Sequence, residues 1–213
     1  FGLAGAVFQS VLRNPLASPD ILGISSGASL GAVIAVLGLG WSGIAVSLTA
    51  FAGAGLVALL IWALAWRQGL HGIRFVLVGV GLAYLCASLI SWLLSQADVR
   101  EAQPVLLWTV GSVADVRGGL LDVLGWLVLG FSLLVAVNSR PLRVLALGDE
   151  LATGLGVRPD RARMLLLLAG VGLVASATSL TGPIAFVALL AAPIARRLQN
   201  DGGPALLISM AVG

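Results

Sequence analysis

The sequence predicts an all-α protein, a polytopic bundle of membrane-spanning helices. Of its 213 residues, 59% are hydrophobic and 10% are charged, whereas a soluble domain carries about 25% charged residues. Uncharged runs long enough to cross a bilayer, which takes about 20 helical residues, recur along the chain. The arginines between these runs fall mostly into alternate loops, which is the charge bias of multi-pass membrane proteins.

About eight membrane segments are predicted, separated by breaks rich in Gly, Pro or Arg. Two apolar runs are too long for one pass, and a Gly-rich or Gly-Pro break divides each of them. Because apolar runs reach both ends, we expect a fragment truncated at each end. In order, the predicted segments are 1–12, 21–66 in two parts divided at 38–43, 75–97, 120–137, 164–195 in two parts divided at 181–183, and 205–213.

The arginines predict which loops are cytoplasmic. All 12 Lys and Arg residues are arginines, and cytoplasmic loops carry the excess of positive charge. Two of them, Arg100 and Arg117, lie in the loops predicted to be external, which are 39–42, 98–117 and 181–183. The others lie in the loops predicted to be cytoplasmic, which are 13–20, 67–74, 138–163 and 196–204. This asymmetry accounts for the pI near 10.4, so no nucleic-acid partner is expected.

Residues 138–163 form a cytoplasmic connection rather than a span. Five arginines lie there, and each costs about 2.5–3.5 kcal/mol at a bilayer centre. The connection is long enough to contain helices of its own. Leu147, Leu151 and Leu155 share one helical face within it. The residues alone leave two functions open for that face, a surface cap on the bundle or a docking helix for a cytoplasmic partner.

The sequence contains no motif for catalysis, a metal or a cofactor. His71 is the single histidine, too few ligands for zinc, and without lysine the chain cannot carry a P-loop. Gly23-Ile24-Ser25-Ser26-Gly27 matches the hydrolase motif G-x-S-x-G, but that motif needs a strand–turn–helix context and a histidine partner. The four-residue spacing of Gly23, Gly27 and Gly31 instead predicts close packing of membrane helices.

Several motifs occur together and in order, and the set resembles the FecCD-type permease family. These are the BtuC-like membrane subunits of ABC importers for iron siderophores and vitamin B12. The ferric-enterobactin permease branch is the most similar, through Ser18-Pro19-Asp20 and Phe186-Val187-Ala188-Leu189. One departure is Ala191-Ala192-Pro193-Ile194, where the family's histidine is missing. The motifs are 5–9, 13–19, 23–31, Trp108-Thr109-Val110-Gly111-Ser112, 148–152 with 155–157, 182–189 and 195–197.

The resemblance implies a transport function. The family has ten membrane helices per subunit, so this chain, 1–213, would be one permease domain holding the second helix to the start of the ninth. A multi-pass protein of the bacterial cytoplasmic membrane is implied, which imports ferric siderophore by alternating access. The implied partners are a second permease subunit, a cytoplasmic ATPase dimer that hydrolyses the ATP, an extracytoplasmic substrate-binding protein and membrane lipid.

Three alternatives remain at this point. Vitamin B12 or haem is an alternative substrate within the same family. An ion-coupled secondary transporter would need ionisable groups near the midplane of the membrane, and the predicted mid-span positions are uncharged. A membrane enzyme would need the catalytic clusters that the sequence lacks.

The resemblance also implies site residues. The candidate cytoplasmic gate is a turn that two prolines stiffen, together with the loop before Phe75; the competing interpretation is that Asn14 caps the next helical turn and Leu16 packs in the bundle. The coupling region for the ATPase lies within 138–163. The gate residues are Asn14, Leu16, Gly72 and Ile73. The coupling residues are Gly148, Asp149, Glu150, Leu151, Ala152, Leu155 and Gly156. The candidate binding-protein contacts come from the residues themselves, as charges on an otherwise charge-poor predicted external face, and are Arg100, Glu101 and Arg117.

Overall fold

The computed structural model describes residues 1–66, 72–114, 119–199 and 204–213. Within these ranges the chain is helical and contains no β-strand, which confirms the all-α prediction. A π-helical turn, Ile34–Gly38, continues α2. The described helices are α1 (Gly2–Val11), α2 (Ile24–Val33), α3 (Ile44–Ala65), α4 (Gly72–Gln96), α5 (Val99–Val110), α6 (Gly119–Val137), α7 (Ser139–Leu145), α8 (Asp149–Gly154), α9 (Pro159–Thr181), α10 (Val187–Gln199) and α11 (Leu206–Val212).

Three described helices, α3, α4 and α9, are long and apolar enough to cross a membrane. The pair α6 and α7, bent by 50° at the break between them, makes a fourth if it is one span. Helix α1 and α2 with its π turn are shorter apolar helices. All the predicted apolar segments are therefore helical, and the number of complete spans stays a prediction.

One helix was missed from the sequence. Residues 98–117 were predicted only to be an external loop, but α5 occupies much of that stretch. Asp98 precedes α5 in an extended conformation, and Glu101 lies in its first turn, where an acidic side chain opposes the positive end of the helix dipole. Pro104 inside the helix made the segment resemble a break, since proline removes a backbone hydrogen bond.

Helix α9 is the centre of the bundle. It packs against α1, α3 and α6, and 61% of its apolar window is buried, against 28% for α3 and 17% for α4. Pro159 begins α9, at the position where a missing N–H breaks no intrahelical bond. Gly182, at φ 70°, ends it. The exposed apolar faces of α3 and α4 are those expected to meet lipid or another membrane subunit.

Helices α2 and α3 approach so closely that their backbones touch. A Cβ added to Gly27 would lie 2.7 Å from the carbonyl oxygen of Gly53, and one added to Gly53 would lie 2.3 Å from that of Gly27. Gly31 meets the carbonyl oxygen of Thr49 in the same way, at 2.3 Å. The packing role predicted for Gly27 and Gly31 is confirmed. Gly23 differs, because it precedes α2 at φ 79° and faces Ala83 of α4.

Candidate functional site

The loop between α1 and α2 has an exposed tip and a buried return. The tip, residues 13–17, is called the gate turn here. It exposes 67% of Leu16, whereas the following Ser18, Leu22 and Ile24 are at most 1% exposed. The chain thus leaves the bundle briefly at Arg13 and re-enters it before α2 begins.

Local hydrogen bonds fix the gate turn. The N–H of Asn14 donates to the carbonyl of Gln9 at 3.1 Å, and the N–H of Ala17 donates to the carbonyl of Asn14 at 3.0 Å. The Oδ1 of Asn14 accepts from the N–H of Leu16, also at 3.0 Å. Asn14 therefore stiffens its own turn rather than the start of α2 at Ile24, and the exposed Leu16 does not pack within this chain.

The start of α4 lies beside the gate turn. A Cβ on Gly72 would lie 3.2 Å from the carbonyl oxygen of Leu12, and Ile73, the next residue, is 81% exposed. A cavity of about 160 Å³ opens between these elements, lined by Val11, Leu12, Arg13, Gly72 and Arg163. The two parts of the predicted gate are neighbours, and each presents an exposed apolar side chain.

The coupling segment, residues 148–157, contains α8 and the turns that flank it. Gly148 at φ 115° and Gly156 at φ 80° set its ends, in a region of conformational space that favours glycine. Ala152 is fully buried on the inner side of α8. Leu151 lies on α8, whereas Leu147 and Leu155 lie in the flanking turns, so the single helical face predicted for the three is wrong. They are 60%, 60% and 64% exposed in chain order, as expected of a surface that docks a partner.

Asp149 forms ion pairs with two arginines of the bundle, although half of its side chain is exposed. Its carboxylate accepts two hydrogen bonds from the guanidinium of Arg163, at 2.9 and 2.5 Å, and a third from Nη2 of Arg13 at 3.2 Å. The same Nη2 of Arg13 donates to the carbonyl oxygen of Leu145. The coupling segment and the gate turn, more than 130 residues apart in sequence, are thereby joined directly.

The arginines lower the pKa of Asp149. The hydrogen bonds from Arg163 are the largest cause, and the positive charges of Arg163 and Arg13 add to it against partial burial. A carboxyl group whose pKa is lowered by folding stabilises the folded protein at pH values above its unfolded-state pKa of about 4. The contribution is lost as the pH falls through the lower folded value, so these ion pairs are intact at neutral pH.

The predicted binding-protein contacts lie on a different part of the molecule. Arg100 and Glu101 are exposed at the start of α5, and Arg117 lies outside the described residues. Beyond the end of α5, the N–H of Ser112 donates to the carbonyl of Thr181 at 2.6 Å. Loops predicted to be external thus meet one another here, just as loops predicted to be cytoplasmic meet at Asp149.

The match to a family model decides what kind of protein this is. A model of the FecCD transport family matches residues 1–213. The chain belongs to the FecCD transport family. This confirms the resemblance read from the motifs, and the permease relatives below agree with it.

Relatives of this FecCD chain are named as siderophore permeases. It is 38% identical over 199 residues to the ferric enterobactin transport system permease protein FepG of Escherichia coli (strain K12), covering 93% of this chain and 60% of that protein. It is 41% identical over 203 residues to FepD of the same system and organism, covering 92% and 60%. FhuG of Bacillus subtilis (strain 168), an iron(3+)-hydroxamate import permease, is 38% identical over 207 residues, covering 93% and 61%.

A solved structure has the same fold. It is described as an inward-facing conformation of a metal-chelate type ABC transporter, and it superposes with a TM-score of 0.88 at 26% identity. The match covers 99% of this chain and 68% of that one. The chain spans about three fifths of the length of the relatives it matches, so the bundle is the major part of a FecCD permease fold.

Two polar contacts of the FecCD chain were missed from the sequence. The guanidinium of Arg196 on α10 donates to Oε1 of Gln9, whose Nε2 donates to the carbonyl of Leu189 at 3.0 Å. Asp20 accepts a hydrogen bond from the hydroxyl of Ser25, and burial raises the pKa of this carboxyl against that bond. Each residue lies in or beside a family motif, but sequence spacing does not reveal which motifs meet in space.

Proposed function

We propose that this chain is part of the transmembrane subunit of an ATP-driven importer, which moves a ferric siderophore across the bacterial cytoplasmic membrane by alternating access. The observation that carries the proposal is the junction at Asp149. There, the gate turn with its exposed Leu16 and the coupling segment with its exposed Leu151 and Leu155 are joined by ion pairs. A transporter driven by a separate ATPase needs a surface that docks the ATPase and, beside it, an element that closes the pathway.

The energy source is a separate cytoplasmic ATPase dimer. The chain has no lysine and therefore no P-loop of its own. Leu147, Leu151 and Leu155 offer an apolar row of the kind that a partner's groove accepts. Residues 138–163, as the coupling region of a single permease domain, would receive that partner.

A second permease subunit and lipid cover the membrane-facing surface. The exposed leucines of α4 and α6 include Leu77 and Leu133, at 68% and 63%. Small residues and exposed apolar faces are what membrane helices use to associate. The transport pathway would run between the two subunits, and Leu16 would lie at its cytoplasmic mouth.

A substrate-binding protein delivers the substrate on the opposite face. The exposed charges of Arg100 and Glu101 at the start of α5 suit a docking rim, because rim charges steer the encounter of two proteins more than they hold the complex. The names of the relatives favour a ferric catecholate siderophore such as ferric enterobactin over hydroxamates. Vitamin B12 and haem are the alternative substrates.

The test is uptake by the purified complex. The full-length permease would be reconstituted in proteoliposomes with its ATPase and binding protein, and loaded with ATP. We expect accumulation of radiolabelled ferric enterobactin that needs both ATP and the binding protein, with no accumulation of vitamin B12 or haem. Uptake of vitamin B12 or haem instead would reassign the substrate, and uptake driven by a proton gradient without ATP would refute the mechanism.

A further inference from the structure

We propose that Arg13 is the positioning residue that transmits the movement of the coupling segment to the gate turn. The inference rests on the proposed function and adds a named route to it. A single guanidinium contacts both helices of the coupling region, through the carbonyl of Leu145 at the end of α7 and the carboxylate of Asp149 at the start of α8.

The route from α8 to the gate is short and stiff. Arg13 is followed directly by Asn14, whose Oδ1 holds the N–H of Leu16. Arg13 itself has φ 50°, a left-handed conformation that few residues other than glycine adopt. Its side-chain contacts with the coupling region offset that backbone cost. A displacement of α8 therefore pulls on a backbone that has little freedom to absorb it.

The two arginines on Asp149 have different tasks. Arg163 lies in the first turns of α9, its side chain is 12% exposed, and its two short hydrogen bonds fasten α8 to the central helix. The side chain of Arg13 is 46% exposed, and one longer bond, at 3.2 Å, joins it to the same carboxylate. The Arg163 contact joins α8 to α9, and the Arg13 contact joins α8 to the gate turn.

Charge and geometry both matter at this link. Arginine presents several N–H donors in a fixed plane, which suits a side chain that must reach a carbonyl and a carboxylate at once. Glutamine at position 13 would keep polarity but lose the charge and the reach. Arg197, which is exposed in the last turn of α10, provides a matched position outside the gate and coupling residues, where the same Arg→Gln change leaves the link intact.

The decisive measurement is the amount of substrate moved per ATP hydrolysed. It would be made on the full-length complex in proteoliposomes, with ferric enterobactin as the probe. We expect Arg13→Gln to assemble with the ATPase and to keep hydrolysis within about twofold, while uptake per ATP falls about tenfold. Arg197→Gln should leave both rates unchanged. An unchanged ratio in Arg13→Gln, or a parallel loss of uptake and hydrolysis, would overturn the proposal.

A second measurement needs no transport and so separates this inference from the proposed function. A nitroxide on Leu16→Cys reports the mobility of the gate turn, and the native Cys86 is buried and out of reach of the label. Adding Arg13→Gln should increase the mobility of the turn. Adding Arg163→Gln instead should increase it by a smaller amount. Equal mobility in the parent and the Arg13→Gln variant would refute the link even in a complex that transports normally.

Discussion

The contact between α2 and α3 allows a stability prediction with a built-in control. Gly53→Ala adds one methyl group at a place where Gly27 leaves no room, since the new Cβ would lie 2.3 Å from its carbonyl oxygen. Gly55→Ala adds the same group two residues further along α3, where nothing lies within 4 Å. Both positions are inside one helix, so any gain from replacing a helical glycine is common to them.

The size of the difference follows from the geometry. Ordinary contact begins at 3.4 Å, so the helices must separate by about 1.1 Å at Gly53. A gap of 0.5–1 Å already removes about a quarter to a half of a dispersion contact, and overpacking typically costs about 1–3 kcal/mol. Because the new methyl group meets backbone atoms rather than a flexible side chain, we expect a loss of stability at the upper end of this range, about 3 kcal/mol. Gly55→Ala should instead gain about 0.5–1 kcal/mol.

The assay is reversible unfolding of the full-length permease in mixed detergent micelles, with rising mole fractions of dodecyl sulfate, followed by circular dichroism. The expected order of stability is Gly55→Ala, parent, Gly53→Ala. Because the helix-propensity gain cancels between the two variants, their difference reports the clash alone. Equal unfolding midpoints for the two variants would show that α2 and α3 are not in backbone contact, and the packing argument would fail.

Three further predictions concern the sites. Leu16→Ala should let reconstituted vesicles leak substrate without ATP while thermal stability is unchanged, whereas Leu77→Ala, equally exposed on α4, should leave the vesicles tight; a stability loss without leak would mean that Leu16 is packed. Leu151→Asp with Leu155→Asp should abolish co-purification of the ATPase while membrane insertion persists, and an undiminished yield of complex would contradict the docking role. Arg100→Cys should react with a membrane-impermeant thiol reagent added to spheroplasts, and reaction only after lysis would invert the topology.

The sequence was sufficient for the helices because lipid imposes a simple requirement. A spanning segment has to be apolar and about 20 residues long, so runs such as 44–66 and 75–97 can be read directly, and the breaks at 38–43 and 181–183 follow from glycine and proline. The arginine bias adds a prediction of the side of the membrane on which each loop lies. Helix α5 escaped because it need not cross the membrane, and its proline and charges resemble those of an ordinary loop.

The site could be predicted only in part, because distant motifs meet through contacts that no local pattern records. The spacing of Leu147, Leu151 and Leu155 is a local pattern and was read as one helical face, but α8 covers only Asp149–Gly154 and contains one of the three. The ion pairs of Asp149 depend on Arg13 and Arg163, which come from other parts of the chain. Asp149 was assigned to the docking surface because its long-range ion pairs leave no trace in the local sequence. The contact between Gln9 and Arg196 was missed for the same reason.

The two turns predicted to be external meet, and this contact constrains how that side of the bundle can open. Gly111 at φ 82° and Gly182 at φ 70° interlock, since a Cβ on either would lie 2.4 Å from a backbone oxygen of the other turn, that of Pro183 or Trp108. The backbones of the two turns are in direct contact there, and the N–H of Ser112 donates a hydrogen bond to the carbonyl of Thr181 beside them. The ends of α5 and α9 on this side are therefore joined through their backbones, and any widening that separated them would have to break these contacts.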